Sequence, residues 1–206
     1  MEIKCLPLGL IRSNCYCVTG DKGCIIIDAG FSSDKVLTLL KSHSDKEQLI
    51  LLTHGHFDHI GGAEYLRKET GTPIAIGEND AAALSDNDVN MSTRFHAHYK
   101  AFTPDRLLKD EETFSVGDLS VRVMETAGHT AGGVCYLING ALFSGDTLFY
   151  ESVGRTDHPF GDTLKLIASV KKLYRLPDDT PVYPGHGSQT TIRYEKSNNP
   201  FVREDS

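Results

Sequence analysis

Thr53-His54-Gly55-His56-Phe57-Asp58-His59 is the stretch that most constrains the fold, because it places three histidines and one aspartate within six residues. His54 and His56 are two apart, so a turning backbone can direct both rings at one metal ion. Asp58 and His59 are adjacent and can both face a second ion. A polar loop would rarely contain so many ligand-type side chains within six residues by coincidence. The stretch therefore predicts a metal site immediately after a strand.

Three later motifs share this layout, in which an apolar strand ends and a small-residue turn presents a ligand-type side chain. Loops at strand ends are where a rigid sheet can hold reactive groups in place. Each motif alone could be a turn, a helix cap or a flexible end. Imidazole and carboxylate together suit zinc, iron or manganese. The motifs are Ala127-Gly128-His129-Thr130, Ser144-Gly145-Asp146-Thr147 and Pro184-Gly185-His186-Gly187, which complete a predicted set of His54, His56, Asp58, His59, His129, Asp146 and His186.

Apolar periodicity predicts strands and helices that alternate along the chain, which indicates an α/β layered fold in a single domain, residues 1–206. A polar, mixed excursion at 85–105 is expected to be irregular or partly helical. The predicted helices are 33–42, 62–70 and 163–176. The predicted strands are 15–19, 24–28, 48–53, 73–76, 119–125, 134–138, 141–144 and 180–183.

Composition and charge argue against two classes of protein, nucleic-acid binders and membrane proteins. The chain has 206 residues and a formal net charge of −7 without a basic run, which argues against nucleic acid as the default partner. It has neither the ~20-residue apolar stretch that a membrane span needs nor a leader-like start, so we expect no membrane association and a cytoplasmic location. The five scattered cysteines are expected to pack in the core.

The motifs resemble those of the metallo-β-lactamase-fold hydrolases. Within that fold, Thr-Ala-Gly-His-Thr-Ala-Gly-Gly, Phe-Ser-Gly-Asp-Thr-Leu-Phe and Tyr-Pro-Gly-His-Gly are similar to the glyoxalase II group, the hydroxyacylglutathione hydrolases. The resemblance implies an αβ/βα four-layer sandwich, with two mixed β-sheets packed face to face and helices outside. It also implies two divalent metal ions, zinc first and iron or manganese as alternatives. By the same resemblance, His54, His56 and His129 hold one ion, Asp58, His59 and His186 hold the other, and Asp146 bridges them.

The implied activity is hydrolysis of a thioester, a hydroxyacylglutathione such as lactoylglutathione, through a metal-bridging hydroxide with Asp58 and Asp146 as catalytic residues. The chain ends soon after His186, so it resembles the short bacterial type, and we expect no C-terminal helical glutathione-binding domain. The alternatives on this scaffold are persulfide oxidation, which the segment Gly154-Arg155-Thr156-Asp157 keeps open, and lactone, β-lactam or phosphodiester hydrolysis. A metal-stabilised binding module is a further alternative.

Two residues near the third motif, Arg155 and Tyr150, are candidate substrate contacts, although either could simply anchor its loop. For His96 and His98 the sequence offers no third ligand nearby. All four of the other histidines are expected at surface or loop positions. These are His43, His96, His98 and His158.

Overall fold

Two six-stranded sheets organise the chain in this computed structural model, which describes residues 1–97 and 100–203. The first sheet has its strands in chain order, antiparallel over the first three and parallel from the third to the sixth. Its strands are β1 (Glu2–Leu8), β2 (Ser13–Thr19), β3 (Gly23–Ile27), β4 (Glu47–Leu52), β5 (Ile74–Gly77) and β6 (Arg106–Leu108).

The second sheet is built from the later part of the chain and has the order β14-β13-β10-β9-β8-β7. Only β10 and β13 pair in parallel, so both sheets are mixed, as the resemblance implied. Two short strands, β11 (Leu148–Phe149) and β12 (Ser152–Val153), form a separate ribbon. The strands of the second sheet are β7 (Thr113–Val116), β8 (Leu119–Glu125), β9 (Val134–Ile138), β10 (Ala141–Gly145), β13 (Pro181–Pro184) and β14 (Thr190–Thr191).

Helices cover the outer faces of both sheets, which confirms the four-layer prediction. The first sheet packs against α1 (Asp34–Ser42), α2 (Phe57–Ile60) and α3 (Ala63–Thr70). The second packs against α4 (Thr163–Leu173) and α5 (Ile192–Asn198). A 3-10 helix, Glu78–Leu84, follows β5. None of the described helices is long and apolar enough to cross a membrane.

Strand β4 shows why the sequences of the central strands are continuous apolar runs. Leu49 and Leu51 point into the core between the two sheets, whereas Ile50 and Leu52 point into the core beneath the helices. A strand covered on both faces has no polar face, so alternation disappears from its sequence. Four of the cysteines are buried as predicted, but Cys5 is exposed.

The predicted elements match the structure over most of the chain, with Ser33 capping α1 through the backbone N–H of Val36. The prediction omitted α5 and the short strands β6, β7, β11, β12 and β14. It also omitted β1, an edge strand with only Leu8 buried, whose apolar residues therefore give no period-two signal. The described residues of the excursion form turns and irregular backbone, and β6 begins directly after it. Its residue His98 lies outside the described residues.

Candidate metal centre

The four motifs meet at one edge of the sandwich, where strands of both sheets end. Thr53, after β4, accepts a hydrogen bond through its carbonyl from the N–H of Val134 at 2.8 Å. Gly185, after β13, donates its N–H to the carbonyl of Gly145 at 2.8 Å. Because the second bond joins the ends of two parallel strands, it sets the Asp146 and His186 loops side by side.

A first group of ligand atoms comes from His54, His56 and His129, all of which are buried. Nδ1 of His56 lies 3.1 Å from Nε2 of His54 and 3.0 Å from Nε2 of His129. Three ring nitrogens that face one another this closely can all bind one ion, because each offers a lone pair to the space between them. This is the first predicted ligand triad.

A second group consists of Asp58, His59 and His186. Oδ2 of Asp58 lies 3.2 Å from Nε2 of His186 and 3.3 Å from Nε2 of His59. The two adjacent residues can share this point because α2 starts at Phe57 and carries both on its single turn. This is the second predicted triad.

Asp146 lies between the two groups. Its Oδ2 is 3.4 Å from Nε2 of His129, and its Oδ1 is 3.5 Å from Nε2 of His59. Oδ1 is buried and has no hydrogen-bond partner among the described residues. A buried carboxylate oxygen without a partner costs about 1–3 kcal/mol or more, so a cation here would relieve that cost. The donor set therefore fits two divalent ions with Asp146 between them.

Hydrogen bonds on the far side of the rings fix which nitrogen faces the ions. Nδ1 of His59 donates to Oδ2 of Asp28 at 2.9 Å, and Nδ1 of His129 donates to the carbonyl of Arg155 at 2.8 Å. Nδ1 of His54 lies 3.1 Å from the Thr53 hydroxyl, which itself donates to Asp28. Such outer partners hold the ring tautomer that leaves the other nitrogen free to bind metal.

Asp80, in the 3-10 helix, ties together two of the ligand loops. Its Oδ2 accepts the backbone N–H of Gly55 at 2.8 Å, and its Oδ1 accepts that of Gly132 at 2.9 Å. The first glycine lies between His54 and His56, and the second follows His129. Asp28 and Asp80 were both missed at the sequence level, because neither belongs to a ligand motif. The left-handed backbone of Asp28, with φ of 55°, has no signature in the sequence.

The surroundings of the side chains set their charge. Burial lowers the pKa of His56 to about 2 and depresses the pKa of His54 and His129, so all three rings are neutral and able to bind metal. Burial opposes the ionisation of Asp58 and of His59. The attraction between these two groups prevails, however, lowering the pKa of Asp58 and raising that of His59.

Gly185 is required at its position because of space rather than backbone conformation. A Cβ atom there would lie 2.2 Å from Oδ1 of Asp146 and 2.8 Å from Cε1 of His59. Any side chain would thus enter the ligand cluster itself. The Pro-Gly-His-Gly motif therefore supplies both a candidate ligand, His186, and, at Gly185, the space that the side chains of Asp146 and His59 occupy.

A cavity of about 360 Å³ opens beside the two groups of ligands. That volume lies within the range of small-molecule sites, which is roughly 300–1,000 Å³. Candidate ligands form one side, and apolar side chains form much of the other. The lining residues are Ile11, His56, Phe57, Asp58, Met91, Phe95, His129, Asp146, Phe149, Val153, Arg155, His158 and His186.

The two predicted substrate contacts differ in position. Arg155 lines the cavity, although its guanidinium is bound by Asp157 at 2.7 and 2.8 Å. Tyr150 is not among the lining residues. Its ring stacks on Tyr194 with 5.2 Å between centroids, and the two hydroxyls are 2.9 Å apart. Contact between Tyr150 and a substrate in this cavity is therefore not supported.

His158 lies in a loop, as expected, but it does not lie at the surface. The residue is buried, it lines the cavity, and its Nε2 lies 3.3 Å from Nδ1 of His129. Its neighbours in sequence indicated only a loop, whereas tertiary packing places the ring against a ligand. His96 is exposed and His43 half-buried, as expected.

The fold and the ligand set agree with comparisons to known proteins. The sequence pattern of the metallo-beta-lactamase superfamily matches residues 8–186. The chain is 34% identical to hydroxyacylglutathione hydrolase GloC of Haemophilus influenzae, over 100% of both chains. It resembles the crystal structure of BLEG-1 B3 metallo-beta-lactamase, with 38% identity, a TM-score of 0.90 and coverage of 98% of this chain and 99% of that one.

A further solved structure bears on the metals. The crystal structure of TTHA1623 in a di-iron-bound form has a TM-score of 0.86 and 33% identity, covering 97% of this chain and 100% of that one. The two metal ions of that relative are iron. With a match over most of its length and two converging ligand triads, this chain belongs to the metallo-beta-lactamase superfamily of metal-dependent hydrolases.

Proposed function

We propose that this protein hydrolyses thioesters, with a hydroxyacylglutathione such as lactoylglutathione as a substrate. The observation that carries the proposal is the pair of ligand triads joined by Asp146 beside an open cavity. The 34% identity to a hydroxyacylglutathione hydrolase over the full length of both chains supports it. The ligands would be His54, His56, Asp58, His59, His129, Asp146 and His186.

Two divalent ions in this set would supply an activated water at neutral pH and a Lewis acid for the carbonyl oxygen. The protein's own part is to hold seven ligands at fixed positions and to shape the cavity. Asp58 has an ionised carboxylate whose Oδ2 points between His59 and His186, so it can accept a hydrogen bond and orient the attacking water. Asp58 lines the cavity, so the acyl group of a substrate bound there would lie beside this carboxylate.

A thiolate is a suitable leaving group for this site. The pKa of a free thiol is about 8.5, so a departing thiolate needs little protonation. Among the described lining residues, the Asp and His side chains near the ions are predicted ligands, and His158 packs behind His129 rather than between the triads. The arrangement supports a reaction that needs no strong general acid.

Hydrolysis of a β-lactam is the second candidate, because a structure with a TM-score of 0.90 is titled a B3 metallo-beta-lactamase. Protein loaded with zinc, iron or manganese should be assayed on lactoylglutathione, a chromogenic cephalosporin, a lactone and a phosphodiester. We expect kcat/KM to be highest for the thioester. Higher activity on any of the others would contradict the proposal, as would oxygen uptake with glutathione persulfide in place of hydrolysis.

A pair of variants makes the assay specific to this site. Asp58→Asn should lower kcat on lactoylglutathione at least 100-fold, since it removes a charged ligand and the residue that orients water. Asp45→Asn is the matched control, because Asp45 is exposed, belongs to neither ligand triad and does not line the cavity. Activity that survives Asp58→Asn would show that the reaction occurs elsewhere.

A further inference from the structure

The side of the cavity opposite the ligands is apolar, and two separate segments build it. Ile11 comes from the turn between β1 and β2, while Met91 and Phe95 come from the excursion whose role the sequence left open. Phe57, between the ligands His56 and Asp58, joins this wall to the metal centre. The wall and the ligands therefore face each other across one space.

Backbone hydrogen bonds fix the excursion to the ligand loop. The N–H of Phe57 donates to the carbonyl of Asn90 at 2.9 Å, and the Asn90 side chain donates to the carbonyl of Ala83 at 3.0 Å. Asn90 is fully buried. The apolar wall is therefore held at a defined distance from the candidate ligands.

A second cavity of about 600 Å³ continues the apolar wall away from the metal centre. The two cavities share Ile11, Phe57 and Phe95, and the second also has Leu10 and Phe31. The Phe57 ring lies 5.2 Å from that of Phe95 and 6.5 Å from that of Phe31. Together these residues form a continuous apolar groove that starts beside the candidate metal ligands.

The side chains at the rim of this groove are exposed to an unusual degree for their type. The exposed fraction is 101% for Leu10, 47% for Ile11 and 49% for Phe95. Single exposed apolar residues are common, but a cluster around a concave site marks a surface that a ligand covers. The groove is thus suited to an apolar group.

The charges around the two cavities also favour an apolar ligand. Among the described residues that line either cavity, Arg155 is the only lysine or arginine, and Asp157 occupies its guanidinium. A site that binds the carboxylates of glutathione tightly would present cations to them. The groove instead favours the part of a substrate that carries no charge.

The acyl half of a thioester fits the groove better than the thiol half. The thiol half leaves as an anion, and an anion is disfavoured against apolar walls. The acyl half keeps its new carboxylate beside the ligands, while its tail stays uncharged. We infer that this groove, formed by Leu10, Ile11, Phe31, Phe57 and Phe95, binds an apolar acyl group, so that thioesters of aryl or medium-chain acids are preferred over lactoyl thioesters. The inference rests on the proposed thioester hydrolase function and names its substrate class.

The test compares substrates that share one thiol. For the metal-loaded protein, kcat/KM for phenylacetylglutathione should exceed that for lactoylglutathione roughly tenfold, a typical discrimination by an apolar pocket. Phe95→Ala should remove most of this advantage, and so should Ile11→Ser. Phe201→Ala is the matched control, because Phe201 is an exposed aromatic residue outside both cavities, and it should keep the advantage.

Three results would overturn the inference. These are equal or better turnover of lactoylglutathione, an unchanged substrate ratio in Phe95→Ala, or a larger gain when the apolar group is on the thiol, as in lactoyl benzyl thioester. If no thioester is cleaved, the proposed function fails, but the groove can still be tested by calorimetry. Phenylacetate should then bind roughly tenfold more tightly than lactate, and equal affinities would refute the apolar acyl site.

Discussion

Nδ1 of His59 lies 2.9 Å from Oδ2 of Asp28, and both side chains are buried completely or almost completely. The carboxylate also accepts the backbone N–H and the hydroxyl of Thr53. Asp28 therefore orients one predicted ligand directly and a second, His54, through Thr53. It acts on both candidate metal positions without touching either.

Asp28→Asn should weaken metal retention roughly 10- to 100-fold, the usual cost of removing an outer partner of a ligating histidine. The two carboxylate oxygens accept from three donors, which are Nδ1 of His59 and the hydroxyl and backbone N–H of Thr53, and the single oxygen of an amide cannot replace both. Chelator competition followed by elemental analysis measures the change. The exposed Asp45→Asn variant is the control. Metal affinity unchanged in Asp28→Asn would show that the His59 ring is held by packing alone.

Metal content should distinguish the histidines of the two triads from the histidines outside them. Protein prepared with excess zinc, iron or manganese should bind two equivalents, and His56→Ala or His129→Ala should lose the ion of the first triad. His96→Ala should retain both ions, because this side chain is exposed and belongs to neither triad. A plateau at one equivalent in the unchanged protein would refute the two-metal assignment.

Gly185→Ala tests the space within the ligand cluster. Because the new Cβ would lie 2.2 Å from Oδ1 of Asp146, we expect metal content and activity to fall sharply while circular dichroism stays near that of the unchanged protein. Gly71→Ala adds a methyl group where nothing lies within 4 Å, although at a left-handed φ of 74°. It should lose some stability and keep its metal. Equal metal loss in both variants would point to a general effect of stability.

The hydrogen bonds of Asp118 predict that the free energy of unfolding depends on pH, independently of metal binding. Its carboxylate accepts the backbone N–H groups of Asp21, Lys22 and Gly23, which lower its pKa to about 2 from 3.8. A depressed carboxyl pKa stabilises the fold fully above the unfolded value and ceases to do so as pH falls through the folded value. Asp118→Asn should therefore be less stable than the unchanged protein at pH 5–7, and this gap should narrow between pH 4 and 2. Urea unfolding at pH 7, 5 and 3 measures it, and a gap that does not narrow at pH 3 would contradict the role.

The fold and the positions of the candidate ligands could be predicted from the same local signals. Each candidate ligand motif follows an apolar strand, and both the strand and the turn after it have local signatures, as at Leu52 and His54. Asp28 and Asp80 have none, because their importance comes from hydrogen bonds to residues 25 or more positions away. Contacts of that range depend on how the sheets pack.

The excursion shows a second limit. Its polar composition conceals the fact that Met91 and Phe95 face the same cavity, because this segment forms turns rather than a periodic element. The burial of His158 was not predicted for a related reason, since its neighbour Pro159 correctly indicates a loop but gives no sign of what that loop covers. Irregular backbone carries little periodic information, so the apolar half of the site could not be inferred before the structure.

The division of the sandwich into two successive halves has a consequence for biosynthesis. The first sheet uses residues 2–108 and the second uses residues 113–191, yet each half supplies only part of the ligands. Until residue 129 has been made, the nascent chain contains His54, His56, Asp58 and His59 but cannot complete either candidate triad. The first triad has all its residues once His129 is made, whereas the second also needs His186, near the end of the second half. Binding of an ion by the second triad would therefore require that almost all of the second half has been made and has packed against the first.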